Sequence, residues 1–282
     1  MLIAPSTRVL EPAELSDALA VLDRDPVANA FVTSRVLECG LDPVRLGGEM
    51  WGWYPHGRLS ALCYSGANLV PLSAGPDAVR SFAERAVRQG RVCSSIVGRA
   101  DSTAALWALL EPFWGPAREV RARQPLLTAT AMPRGITPDP RVRRVRRNEM
   151  DLVMPAAVAM FTEEVGVSPL SAPDGGLAYQ SRIAETVGHG RCFVRVEDGR
   201  VVFKAEIGAV TPRVCQIQGV WTAPDRRGRG LAVAGLATVL RHAFAECSPV
   251  ASLYVNDFNA PARAVYRRLG FTGTGMLMSV LF

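Results

Sequence analysis

Two short stretches hold residues whose types and spacing suit chemistry. The first is Gln216-Ile217-Gln218-Gly219-Val220-Trp221-Thr222-Ala223-Pro224-Asp225-Arg226-Arg227-Gly228-Arg229-Gly230-Leu231-Ala232, where a strand-like run enters a glycine-rich turn that opens a long helix. Glycines let a backbone approach a ligand closely, and the first N–H groups of a helix have no partner of their own. The helix dipole adds positive potential at the same place. With mobile charge from Arg227 and Arg229, the backbone of Arg227, Gly228, Arg229, Gly230, Leu231 and Ala232 forms a cradle suited to a pyrophosphate. No Lys-Ser/Thr follows the second glycine, as a nucleotide triphosphatase loop requires, and the spacing is not Gly-x-Gly-x-x-Gly. Taken alone, such a turn is equally compatible with having no ligand.

The second stretch is Asn259-Ala260-Pro261-Ala262-Arg263-Ala264-Val265-Tyr266-Arg267-Arg268-Leu269-Gly270-Phe271. On a helix, Asn259, Ala262 and Tyr266 share one face, and Gly270 ends the element. Asn259 as a simple cap and Tyr266 as a core-edge aromatic would also fit. Together the two stretches resemble the GCN5-related N-acetyltransferase (GNAT) family. That family carries an Arg/Gln-x-x-Gly-x-Gly/Ala turn between a strand and a helix, and an Asn-x-x-Ala-x-x-x-Tyr-x-x-x-Gly-Phe segment near the C-terminus. The resemblance covers about residues 141–282. The whole chain also looks like two-domain actinobacterial acetyltransferases, which carry an uncharacterised N-terminal domain before the GNAT domain.

The resemblance implies transfer of an acetyl group from acetyl-coenzyme A to a primary amine, by direct attack in a ternary complex and without a metal. The acceptor would be a protein lysine, a protein N-terminus or a small amine. The turn from Arg227 to Ala232 would bind the coenzyme pyrophosphate. Val220 and Thr222, with Trp221 between them, would pair with the pantetheine arm as an added strand. Asn259 would hold that arm from its other side, and Tyr266 would point its hydroxyl at the sulfur. The competing reading is a non-catalytic sensor of acyl-coenzyme A or a scaffold. Such a protein needs the turn but not Tyr266.

The chemistry sets further demands. A lysine-type amine has a pKa of about 10.4, so neutralising it at pH 7 costs roughly 4–5 kcal/mol, and some carboxylate or carboxylate-linked water must take the proton. Glu206 alternates with the apolar Phe203, Ala205 and Ile207, which would turn it toward an acceptor cleft or toward solvent. Glu163, Glu164 and the terminal carboxylate of Phe282 are the other candidates. A backbone N–H near Val220 would stabilise the oxyanion.

These residues need a scaffold, and the chain is long enough for two domains. Pro133, Gly135, Pro138 and Pro140 mark a linker over 131–140, between an N-terminal domain of 1–130 and a catalytic domain of 141–282. The first half reads as helices over 11–22 and 26–38, strands near 50–54, 59–64 and 68–72, a helix over 76–88, a strand at 92–97, a helix over 102–113 and a strand at 118–127. The second half repeats that order. A strand at 142–146 leads to Asn148 as the cap of a helix running to about Val165, and a helix follows over 177–187. Strands at 191–197, 201–210 and 214–221 precede a helix over 230–246, a strand at 250–255, a helix over 259–269 and a strand at 276–282. The expected class is α/β (α+β): two tandem GNAT-like units, each a mixed, mostly antiparallel sheet flanked by helices. The first half has no phosphate turn. Leu72-Ser73-Ala74-Gly75-Pro76-Asp77 puts an acid there, so this half is expected to bind no coenzyme.

Composition narrows the classes further. The net charge is +6, carried almost wholly by arginine, with Lys204 the only lysine. The run from Arg141 to Arg147 has no interleaved aromatics, so nucleic acid is not the expected partner. The six cysteines are widely spaced and the three histidines do not pair with them, which argues against a metal site and fits a reducing cytoplasm. No apolar run is long enough to span a membrane. Met1-Leu2-Ile3-Ala4-Pro5 does not read as a signal peptide. Nothing in the sequence fixes the oligomeric state.

Overall fold

A computed structural model describes residues 6–172 and 174–282, so the expectation for Met1–Pro5 lies outside the described residues. In chain order the first elements are β1 (Ser6–Val9), α1 (Leu15–Leu22), α2 (Ala30–Cys39), α3 (Pro43–Leu46), β2 (Gly48–Tyr54), β3 (Ala61–Gly66), β4 (Asn68–Leu72), α4 (Pro76–Gln89), β5 (Ser95–Arg99), α5 (Ala100–Trp114) and β6 (Glu119–Ala129). There follow β7 (Arg143–Arg144), α6 (Met150–Val165), α7 (Leu177–Gly188), β8 (Cys192–Glu197), β9 (Arg200–Val210), β10 (Cys215–Thr222), α8 (Leu231–His242), β11 (Ala251–Tyr254), α9 (Ala260–Arg268) and β12 (Thr272–Leu281). The fold class is the expected one, mixed α/β with mostly antiparallel strands and flanking helices, and α3 aside the element order of the first half recurs in the second. Strand β1 had no counterpart in the sequence reading. The cap of α6 is Glu149 rather than Asn148, and Glu149 is also the partner of Arg143 at 2.7 and 2.8 Å.

The contacts divide the chain into two compact units that do not follow the sequence halves. The first holds residues 1–127, 254–259 and 273–282. Its strands run in the order β1-β2-β3-β4-β5-β12-β6. Helix α4 shows why these elements form. Pro76 opens it, Gly90 at φ +78° follows it, and Ala78, Val79, Phe82, Ala83 and Ala86 sink one face into a core with Trp51, Ile96 and Leu106. Strand β12 lies antiparallel to β5, from Leu277 opposite Arg99 to Leu281 opposite Ser95. Met278 and Val280 enter that same core, and Phe282 stands edge-on to Trp107 and Trp114 with centroids at 5.6 and 5.8 Å. The C-terminal strand, read from sequence as part of a 141–282 domain, therefore completes the first unit.

This arrangement makes a prediction. A fragment of residues 1–130 keeps β4 beside β5 but lacks β12 on its other edge, and leaves Trp107 and Trp114 without Phe282. Each buried Met or Val removed from a core costs roughly 1–5 kcal/mol, a large fraction of the total stability of an ordinary domain. The fragment should show no cooperative unfolding transition, and a linked copy of 273–282 should restore one. A fragment that melts cooperatively without that strand would refute the dependence.

The second unit holds residues 128–253 and 260–272, with strand order β11-β10-β9-β8-β7. The end of the proline-rich linker is anchored here. Asp139 N–H donates to the Ala234 carbonyl at 3.0 Å, Thr238 donates to the Asp139 carbonyl at 2.8 Å, and Arg195 holds the Asp139 carboxylate at 2.6 Å. Strand β9 is buried along almost its whole length. One face meets α8, where Gly235 leaves room for the Phe203 ring; a β-carbon there would sit 2.6 Å from it. The other face carries Lys204 and Glu206.

Candidate active site

The site grows from an irregularity between β9 and β10. Gln218 stands opposite Glu206, but the next pair is Trp221 with Lys204, so β10 carries one extra residue. Gly219 absorbs it at φ +60°, a conformation that favours glycine. On its other edge β10 pairs with the parallel β11 only at Cys215–Ala251 and Gln216–Ser252, while β10 itself continues to Thr222. The two strands part beyond Gln216. Val220, Trp221 and Thr222 lie on the stretch that has parted from β11, with Trp221 and Thr222 still paired to β9.

The glycine turn follows directly. Gly228 and Gly230 both have positive φ, +72° and +79°, and a β-carbon at either would meet nothing within 4 Å. Gly230 is the N-cap of α8 and supplies no side-chain cap to the first N–H groups of the helix. Leu231 and Ala232 begin the helix half-buried, and Arg229 is exposed. This arrangement fits a pyrophosphate: uncapped donors, a helix dipole, no side chain in the way. Arg227 is less mobile than expected. Its Nε donates to the Thr222 carbonyl at 3.0 Å, and its Nη2 lies 2.6 Å from Glu163, which also accepts from Trp221 Nε1 at 3.2 Å. The corresponding position in the first unit is built differently. Pro76 removes a donor from the start of α4, and Asp77 pairs with Arg80.

Beneath the bulge lies a polar cluster. Glu206, expected to face a cleft or solvent, is fully buried, because α7 covers that face of β9 as α8 covers the other. Lys204, also fully buried, pairs with its Oε1, while Arg182 of α7 and Gln218 each lie 3.2 Å from its Oε2. Burial alone would raise the Glu206 pKa. The charges of Lys204 and Arg182, with hydrogen bonds from Lys204 and Gln218, outweigh it and hold the carboxyl at about 2. A carboxylate sealed from solvent and held by two cations is a poor proton acceptor, which counts against its expected role as base. The sequence reading missed Lys204, Arg182 and Gln218. Their signal was the sole lysine of an arginine-rich chain, two residues from a glutamate inside an otherwise apolar strand.

Tyr266 is buried on α9, with its ring edge-on to Phe271 at 5.9 Å. Burial pushes its phenol well above the usual value, and the nearby charge of Glu164 adds to the effect. Glu164 itself is exposed at the end of α6. Asn259 falls in the 254–259 segment that packs with the first unit, where its N–H donates to Asn256 at 3.0 Å. The terminal residue Phe282, another candidate base, is bound into the first unit's aromatic core.

Residues 158–271 match a family model described as the acetyltransferase (GNAT) family, and residues 48–153 match a domain of unknown function, DUF4081. Similar solved structures include a GCN5-related N-acetyltransferase from Sphaerobacter thermophilus, 18% identical, covering 98% of this chain and 95% of that one, with a TM-score of 0.60. A GNAT-family acetyltransferase from Colwellia psychrerythraea is 13% identical over 98% and 99% of the two chains, with a TM-score of 0.58. A tandem GNAT protein from the clavulanic acid biosynthesis pathway is 13% identical over 98% of each chain, with a TM-score of 0.56. No curated protein sequence matches the chain. No described helix is long and apolar enough to cross a membrane.

Proposed function

We propose, since residues 158–271 are a domain of the GNAT acetyltransferase family, that the protein transfers an acetyl group from acetyl-coenzyme A to a primary amine. The observation that carries this reading is the pairing of an uncapped helix N-terminus, reached through two positive-φ glycines, with a strand that parts from its neighbour just before it. The turn from Arg227 to Ala232 holds the pyrophosphate by backbone N–H groups. Val220 and Thr222 receive the pantetheine arm along the free edge of β10, and the Val220 N–H stabilises the oxyanion.

The acceptor amine attacks once neutral. Its proton passes to a carboxylate or a carboxylate-linked water, with Glu164, exposed at the end of α6, as the candidate. Tyr266 gives its own proton to the departing thiolate. A sensor without turnover would need the cradle but not Tyr266.

Gly230→Asp tests the cradle. It puts a carboxylate where the phosphates dock, and acetyl-coenzyme A binding should weaken more than tenfold by calorimetry, about 1.4 kcal/mol or more. Gly230→Asn makes the same backbone demand at φ +79° without the charge and should bind markedly better than the Asp variant. Equal affinity in all three proteins would remove the phosphate assignment. Turnover of acetyl-coenzyme A with a pool of amines tests the transfer itself. Glu164→Gln should suppress that turnover most strongly at low pH, where neutral amine is scarcest.

A further inference from the structure

The buried cluster under the bulge carries unequal charge. Glu206 offers one carboxylate to two cations, with Lys204 on Oε1 and Arg182 on Oε2. Lys204 is sealed from solvent, whereas the Arg182 side chain is 39% exposed. The surplus positive charge therefore reaches solvent through Arg182 alone. Its guanidinium is braced, stacked at 5.0 Å on the Tyr179 ring, whose hydroxyl is fixed to the Ala157 carbonyl at 2.7 Å. A guanidinium has five donors in a rigid fork, and the contact with Glu206 uses one edge of it. A fixed, partly desolvated fork with uncompensated charge is a receptor for a carboxylate.

Its position matters as much as its charge. A side chain at Gly219 would begin 3.1 Å from Lys204 Nζ and 3.2 Å from the Glu206 carboxyl carbon, so the cluster that Arg182 joins through Oε2 lies directly beneath the bulge that leads to Val220. That is where the transferase reading, on which this inference rests, puts the thioester carbonyl. We infer that the acceptor is an amino-acid-type molecule, with a carboxylate a few bonds from the reacting amine, and that Arg182 binds the carboxylate and so aims the amine. The surplus charge would repel the second ammonium of a diamine.

The test compares free L-amino acids with small, acidic, basic and aromatic side chains, each beside its α-carboxamide, as acceptors for acetyl-coenzyme A. A hydrogen-bonded ion pair of this kind favours the acid by roughly 10–100-fold in kcat/KM. Arg182→Gln should bring the acid-to-amide ratio close to one. Arg182→Lys keeps the charge but loses the fork, and should fall between. Amides used as well as acids by the wild-type protein would overturn the inference, and so would a preference that survives in Arg182→Gln. Calorimetry of N-acetylated acids and their amides on the coenzyme A-loaded protein separates the two levels of the argument. Acid-selective binding without any transfer would sink the transferase reading and leave the carboxylate site standing. Transfer without acid preference would do the reverse. Neither binding nor transfer would end both.

Discussion

Tyr266→Phe is expected to slow acetyl transfer, measured in a single turnover with saturating amine, by about 10²-fold, toward the lower end of what general acids contribute. The substitution removes one hydroxyl and leaves the ring on Phe271 in place, so folding and coenzyme affinity should hardly change. The modest size follows from the acidities. Burial and the Glu164 charge keep the phenol above its ordinary value, whereas a thiol has a reference pKa near 8.5, so proton donation helps less than to a poorer leaving group. The same shift fixes the pH behaviour. The phenol stays protonated from pH 6 to 9, so Tyr266 adds no falling limb there. Wild type and Phe variant should therefore give profiles of one shape at different heights. A Phe variant with the wild-type rate would make Tyr266 a packing residue, with the thiolate leaving unaided or protonated by solvent.

The second large effect concerns stability. Glu206→Leu strands Lys204 and Arg182 without their shared counter-charge, and breaking a buried pair this way costs roughly 3–5 kcal/mol. The double variant Lys204→Met with Glu206→Leu should recover most of that loss, since apolar replacement of a whole buried pair is often neutral. The pair also predicts how stability follows pH. The Glu206 carboxyl is depressed in the folded state, from 4.5 to about 2. It therefore contributes its full stabilisation above its unfolded pKa and loses it as pH falls through the folded value. The loss, on the order of 3 kcal/mol, should fall between about pH 4.5 and 2, and Glu206→Leu should lack it. A Leu variant as stable as the wild type would show that the cluster adds nothing to the fold.

Much of this was legible in the chain itself. The glycine turn could be placed because strand, turn and helix each announce themselves locally: apolar run, positive-φ glycines, then a helical pattern from Leu231. The limits of α7 and β9 came out within a residue or so for the same reason. Three things were not local. Alternation along β9 showed that Glu206 and Phe203 face opposite ways, but not that helices cover both faces, so a buried carboxylate read as a cleft or surface one. Asn148 suits a cap, yet Arg143, opposite Val194 in the sheet, draws Glu149 into that place. The destination of β12 was out of reach as well, because an apolar strand pattern says that a partner exists and not which one.

That last strand bears on how the protein is made. Ser95, beside Asn68 on one edge, finds its second sheet neighbour in Leu281, about 190 residues later, and at roughly 5–20 residues per second a ribosome takes about 10–40 s to cover that distance. Throughout that interval the nascent first unit holds its β5 edge and the ring faces of Trp107 and Trp114 uncovered, while the whole second unit emerges behind it. The order of synthesis is thus the reverse of the order of completion: the part begun first is among the last to close. For that time the growing chain exposes a bare strand edge and two indoles, which are features that holding chaperones bind and that promote association between neighbouring nascent chains.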